Sequence, residues 1–219
     1  DNAFGAMDTC KEVYKASGAE GIVEGFVQGV NGAVCAYGAT ATGKTHTMKS
    51  LSRFCVKDVF AHKEWDLGSV LGDAEFDLRL SAVEVYNEQV YDLLQTGKAR
   101  HLPLRLLEGQ RGSASRSGGV VVDKALQVKV TSREECDAFL DRALRERETA
   151  RLKTNERSSR SHFVARLHLR QTRQTPNPGP QGDGEGKADI LSSTLTLVDL
   201  AGAEQQLQLL NQLRSFEHQ

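Results

Sequence analysis

The sequence predicts an α/β domain, a central sheet with helices on both faces, and three observations carry that prediction. Segments with helical spacing of apolar residues alternate along the chain with short runs that read as strands. A Gly-rich stretch, residues 38–45, lies between one apolar strand and one helix. A second apolar run, Leu195, Thr196, Leu197 and Val198, ends on Asp199. With 219 residues, the chain is long enough for one domain with a real hydrophobic core.

The elements follow in order. Residues 11–29 read as one helix, with Val13, Ala16, Ile22, Val23, Phe26 and Val27 near helical spacing and Gly18 and Gly21 weakening its middle. Asn31-Gly32 marks a turn, and residues 33–37 form an apolar run best read as a buried strand. A second helix spans 44–63. Phe76, Leu78, Leu80 and Ala82 set a strand over 76–86, which residues 88–94 close with a helical turn. Residues 120–122 and 128–130 are strand candidates behind a Ser/Gly/Arg loop at 111–119. Ser132 caps a helix over 132–149, with Glu135 three residues on and Phe139, Leu140 and Leu144 on one face. Phe163, Ala165, Leu167 and Leu169 alternate with polar residues as a strand. Residues 171–187 hold three of the four prolines and four glycines, which predicts a disordered surface loop, bounded at 170–188.

Composition narrows the function. The net charge of −1 gives no field for a polyanion, so no nucleic-acid partner is indicated, and no apolar run is long enough to cross a bilayer. Cys10, Cys35, Cys55 and Cys136 lack metal-ligand spacing; they read as reduced thiols, Cys35 and Cys55 buried.

The residues Gly38, Ala39, Thr40, Ala41, Thr42, Gly43, Lys44 and Thr45 fit G-x-x-x-x-G-K-[ST] at every fixed position. Glycine lets backbone N–H groups approach a phosphate without a Cβ in the way. Lys44 supplies the charge for the outer phosphates, the Thr45 hydroxyl can ligate Mg²⁺, and the N-terminus of the following helix adds positive potential. A Gly-rich turn can meet the pattern by accident, but here the motif follows an apolar strand and opens a helix. A strand ending in acid is common alone; beside a phosphate loop, Asp199 becomes a candidate for holding Mg²⁺ or its water. These residues point to a phosphate-loop NTPase that binds ATP with Mg²⁺.

Four ordered segments then resemble the kinesin motor domain. Residues 36–48 are similar to the family's A-Y-G-x-T-x-x-G-K-T-x-T-M, and 84–94 to its E-x-Y-N-E-x-x-x-D-L-L. Residues 155–162 match the switch I signature N-x-x-S-S-R-S-H without a gap, and 197–204 resemble the switch II L-V-D-L-A-G-S-E. The resemblance implies a central mixed sheet and roles residue by residue. Ser158 and Ser159 contact the γ-phosphate and the Mg²⁺ water, and Asn155 helps position the nucleophilic water. Arg160 and Glu204 form a salt bridge that closes the switches, Gly202 senses the γ-phosphate through its N–H, and His46 lies near the adenine. Thr45, Ser159 and Asp199 form the metal set. Without the resemblance, the serine-rich stretch would read as an exposed polar turn.

The expected domain is thus a truncated kinesin motor fold over 1–204, with 205–219 a divergent tail. The expected function is an ATP-hydrolysing, microtubule-associated motor of the cytoplasm and cytoskeleton. Absent end segments would weaken its binding to tubulin. A non-motor nucleotide-binding or interaction fragment is the alternative. Ala41 stands where the family usually has glycine and Ala203 where it has serine. A positive φ at residue 41 would strain the loop. The resemblance also implies that the strand entering the phosphate loop pairs on one side only, with 195–198.

Overall fold

A computed structural model describes residues 2–5, 7–66, 75–108, 120–152, 160–174 and 188–204. Among these, four α-helices and eight strands order as α1 (Cys10–Ala16), α2 (Ala19–Val27), β1 (Gly32–Ala36), α3 (Lys44–Asp66), β2 (Glu75–Tyr86), β3 (Gln89–Asp92), β4 (Leu106–Glu108), β5 (Val120–Val122), β6 (Val128–Lys129), α4 (Arg133–Leu152), β7 (Ser161–Gln174) and β8 (Ala188–Asp199).

The helix expected over 11–29 is two helices. Thr9 starts the first through a capping box with Glu12, and Gly18, at φ 77°, breaks the chain before α2. Residues 88–94 are not a helical turn. Asn87 and Glu88 have φ of 49° and 61°, the signs a two-residue hairpin turn of matching twist needs, and Gln89–Asp92 returns as β3 against β2. The Asp92 carboxylate fixes that corner by accepting N–H groups from Leu94 at 2.8 Å, Gln95 at 3.3 Å and Leu126 at 2.6 Å. The helix expected at 132–149 is α4, with Ser132 Oγ accepting Glu135 N–H at 3.2 Å.

The main sheet runs β1-β8-β7-β2-β3, with β6 also on β2. It is mixed: β1 pairs β8 in parallel, and the β8-β7-β2-β3 neighbours are antiparallel. The β7–β8 ladder continues to Gln174↔Ala188, so residues 170–174 and 188, expected in a disordered loop, are strand. Gln171 helps hold that extension, its buried amide donating to Val27 O at 2.5 Å. Residues 175–187 and the tail 205–219 lie outside the described residues.

One core forms. Leu78, Leu80 and Ala82 of β2, Phe163, Ala165, Leu167 and Leu169 of β7, and Leu195 and Leu197 of β8 pack with residues from all four helices, among them Tyr14, Phe26, Val56 and Leu140. The alternating positions Val164, Arg166, His168, Thr194 and Thr196 are only partly covered and border a broad cleft with Ser81 and Val83. Helices were expected on both faces; among the described residues their core lies on one. That geometry also corrects the burial of β1. Ala33 and Cys35 are exposed, because no helix among the described residues covers their side of the sheet, whereas Cys55 is buried as expected. Among the described residues β1 pairs β8 alone, with Gly32↔Leu195 through Ala36↔Asp199, the one-sided pairing the sequence led us to expect.

Candidate functional site

The parallel register sets the site, because pairing Ala36 with Asp199 ends β1 and β8 at the same level. The chain leaves β1 through Tyr37 into the loop 38–45 and enters α3 at Lys44. Gly38 and Gly43 have φ of 149° and 90°, and both need glycine for conformation. Ala41 has φ 64°, so the departure noted in the sequence falls on a left-handed position and strains the backbone. Thr42 Oγ1 donates to Ala39 O at 2.8 Å. The Lys44 ammonium donates to Gly38 O at 2.8 Å and Ala39 O at 2.5 Å, which places its charge over the loop.

Asp199 is 2% exposed and joins three elements. Its Oδ2 accepts the Thr45 hydroxyl at 2.7 Å and Arg147 Nη1 at 2.5 Å. Its Oδ1 is buried with no hydrogen-bond partner among the described residues. An unsatisfied buried carboxylate oxygen beside a threonine hydroxyl is a hard oxygen donor set, and it fits Mg²⁺. Thr45 and Asp199 are the described residues that could hold the ion.

Arg147 has no place in the reading from sequence. It is 3% exposed, and besides Asp199 it binds Ser161 through Nε to Oγ at 3.2 Å and Nη2 to the carbonyl at 2.9 Å. The guanidinium also lies 5.7 Å from the Phe163 ring centroid. On α4 it continues the buried face of Cys136, Leu140 and Ala143 at helical spacing. That spacing was the available signal, hidden by the many exposed charges of the helix.

The loop after β8 folds over the phosphate loop. Leu200 N–H donates to Ala36 O at 3.2 Å and Ala203 N–H to Gly38 O at 3.1 Å. The Glu204 carboxylate accepts Thr40 N–H, and the two Thr40 bonds hold it below its ordinary pKa. A Cβ on Gly202 would overlap the Glu204 carboxylate and the Thr40 hydroxyl, so any larger residue there would displace those side chains. Ala203 is buried at 6% exposure. His162 Nδ1 accepts Ala201 N–H at 3.0 Å. Thr40, Ala41, Gly43, Lys44, Thr45, His46, Arg147, Leu200 and Gly202 line a cleft of about 290 Å³, large enough for a polyphosphate.

The structure therefore brings together the phosphate loop, Thr45, His46, Asp199, Gly202 and Glu204. The Glu204 carboxylate engages Thr40, and Arg160 is exposed at the start of β7. Asn155, Ser158 and Ser159 lie outside the described residues.

A family model described as the kinesin motor domain matches residues 1–218. Kinesin-like protein KIN-7I of Arabidopsis thaliana is 33% identical over 215 residues, covering 96% of this chain and 19% of that protein. Kinesin-like protein klp-12 of Caenorhabditis elegans is 32% identical over 224 residues, covering 90% of this chain and 13% of its own length. Among solved structures, one described as "Structure of a fast kinesin: Implications for ATPase mechanism and interactions with microtubules" superposes with a TM-score of 0.74 at 27% identity, covering 93% of this chain and 53% of that one. The chain spans about a fifth or less of these curated relatives and about half of the solved chain.

Proposed function

The chain belongs to the kinesin motor domain family, and on that premise we propose that it binds ATP with Mg²⁺ at the loop 38–45 and contributes to ATP hydrolysis by a microtubule motor of the cytoskeleton. One observation carries the reading: Lys44, Thr45 and Asp199 converge at the loop, with an unsatisfied Asp199 oxygen beside the Thr45 hydroxyl. Lys44 would turn from the loop carbonyls to the outer phosphates, exchanging two neutral acceptors for charged ones. Thr45 and Asp199, with Ser159, would hold the ion, which supplies charge neutralisation to the phosphates. Arg147 shares Asp199 Oδ2 with Thr45 and so sets the carboxylate's orientation.

The remaining roles complete the reading. Gly202 N–H would meet the γ-phosphate, Asn155 and Ser158 would orient water and phosphate, and Arg160 would pair with Glu204 once a γ-phosphate is bound. His46 would border the base. Such chemistry asks for positioned charge and an oriented water rather than a covalent nucleophile. Tubulin is the proposed partner.

A second reading, a nucleotide-binding module without motor activity, is favoured by the left-handed Ala41 in the phosphate loop. Two assays separate the readings. Titration with a fluorescent ATP analogue and Mg²⁺ should show binding that Lys44→Ala abolishes; unchanged affinity in the variant contradicts both. Microtubule-stimulated phosphate release supports the motor, and binding without stimulation supports the module.

A further inference from the structure

His162 belongs to the switch I signature, yet no role above uses its side chain. Its Nδ1 accepts the Ala201 N–H at 3.0 Å. An amide only donates, so Nδ1 carries no proton and the imidazole is neutral with its hydrogen on Nε2. Burial, with the Arg147 charge second, holds the imidazole below its ordinary pKa against the pull of Asp199, which agrees with that state.

The placement of this bond is what matters. The loop 200–204 is otherwise fixed from the β1 side, through Ala36 O, Gly38 O and Thr40 N. His162 sits on β7, across from Val85 of β2, and reaches the loop from the opposite flank. It therefore joins the start of β7 to the backbone that precedes Gly202. A shift of residues 160–162 moves the acceptor, and the acceptor holds the amide one residue before Gly202.

We infer that His162 is a positioning residue whose δ-position acceptor couples the start of β7 to the loop carrying Gly202 and Glu204. The inference rests on the proposed nucleotide site only for its consequence, which is discrimination between ATP and ADP. The tether itself is a property of the nucleotide-free chain.

The test compares His162→Asn, whose side-chain oxygen can occupy the δ position, with His162→Phe, which fills the space without an acceptor. In the nucleotide-free chain, hydrogen exchange at the Ala201 amide should be about three- to tenfold faster in His162→Phe, the size of one hydrogen bond. In His162→Asn it should stay within about twofold of the parent. The ratio of affinities for a non-hydrolysable ATP analogue and for ADP, both with Mg²⁺, should fall by a similar factor in Phe and recover in Asn. Equal Ala201 exchange in parent and Phe variant, or an Asn variant as fast as Phe, overturns the inference. If His162→Phe does not fold, His162→Gln replaces it, since its oxygen lies at the ε position; Gln matching Asn also overturns the inference. A parent chain that binds no nucleotide sinks the functional proposal instead, and the exchange comparison still decides this one.

Discussion

Strands β7 and β1 lie at opposite extremes of support in the same sheet. Twelve residues of β7 pair with β2 and twelve with β8, and its Phe163, Ala165, Leu167 and Leu169 are buried in the core. Five residues of β1 pair with β8 alone among the described residues, with Ala33 and Cys35 exposed. Yet β1 carries the phosphate loop. The difference teaches that the site is not held by the strand it grows from. It is held across the strand ends by Thr45, Asp199 and Arg147, and by the loop 200–204 folded back onto Ala36, Gly38 and Thr40.

The largest effect should come from breaking that cross-link. Arg147→Ala leaves Asp199 buried without its cation, which costs about 3–5 kcal/mol and should appear as a large drop in the urea midpoint. A drop under about 1 kcal/mol would mean that the ion pair anchors nothing.

Next is a direct contrast between the strands. Leu167→Ala, at 1% exposure in β7, should cost about 2–5 kcal/mol. Val34→Ala, half-buried in β1, should cost less than about 1.5 kcal/mol in the same denaturation series. Equal losses would show β1 to be as well supported as β7.

The partly covered face supplies a pH test. Burial, aided by the Arg166 charge, pushes His168 down to about 4 from 6.5, with the Ser81 hydroxyl 3.1 Å from its Nε2. The unfolded chain then binds the proton more readily than the folded one. Stability from this group is complete above pH 6.5, declines as pH falls, and is lost through about pH 4, on the order of 3 kcal/mol in all. His168→Gln should flatten the fall of the urea midpoint over that window relative to the parent, and an unchanged slope contradicts the assignment.

The smallest effect belongs to the phosphate loop itself. Ala41→Gly should relieve the left-handed strain at φ 64°, and after glycine's entropy cost should raise stability by about 0.5–1 kcal/mol. A destabilised variant would mean that residue 41 does not hold that conformation in solution.

Much of this was legible from residue types. Lys44 and Thr45 were identified because a phosphate loop fixes both type and spacing, and Asp199 because an acid ending an apolar strand gains meaning beside such a loop. The strand alternation was legible as well, and it held an unread message. Phe163, Ala165, Leu167 and Leu169 alternate with His162, Val164, Arg166 and His168, so β7 was already written with one apolar face. Arg147 was not read, because its helical spacing with Cys136, Leu140 and Ala143 is hidden among the exposed charges of the same helix. The β2–β3 hairpin was missed because Asn87-Glu88 is a weaker turn signal than Asn-Gly, and its second residue pays for a positive φ. Gly18 was seen as a weak point but not as a break, a distinction set by its left-handed conformation.

The most direct test of the central claim is amide hydrogen exchange along β1 and β7, with and without Mg²⁺ and a non-hydrolysable ATP analogue. Without nucleotide, the amides of Gly32–Ala36 should exchange much faster than those of 163–169. With it, β1 and the loop 200–204 should slow by at least about tenfold, because a ligand bound at the loop that β1 leads into favours the closed state of both. Protection of β1 equal to that of β7 before any ligand is added, or no change at β1 when it binds, would contradict the account.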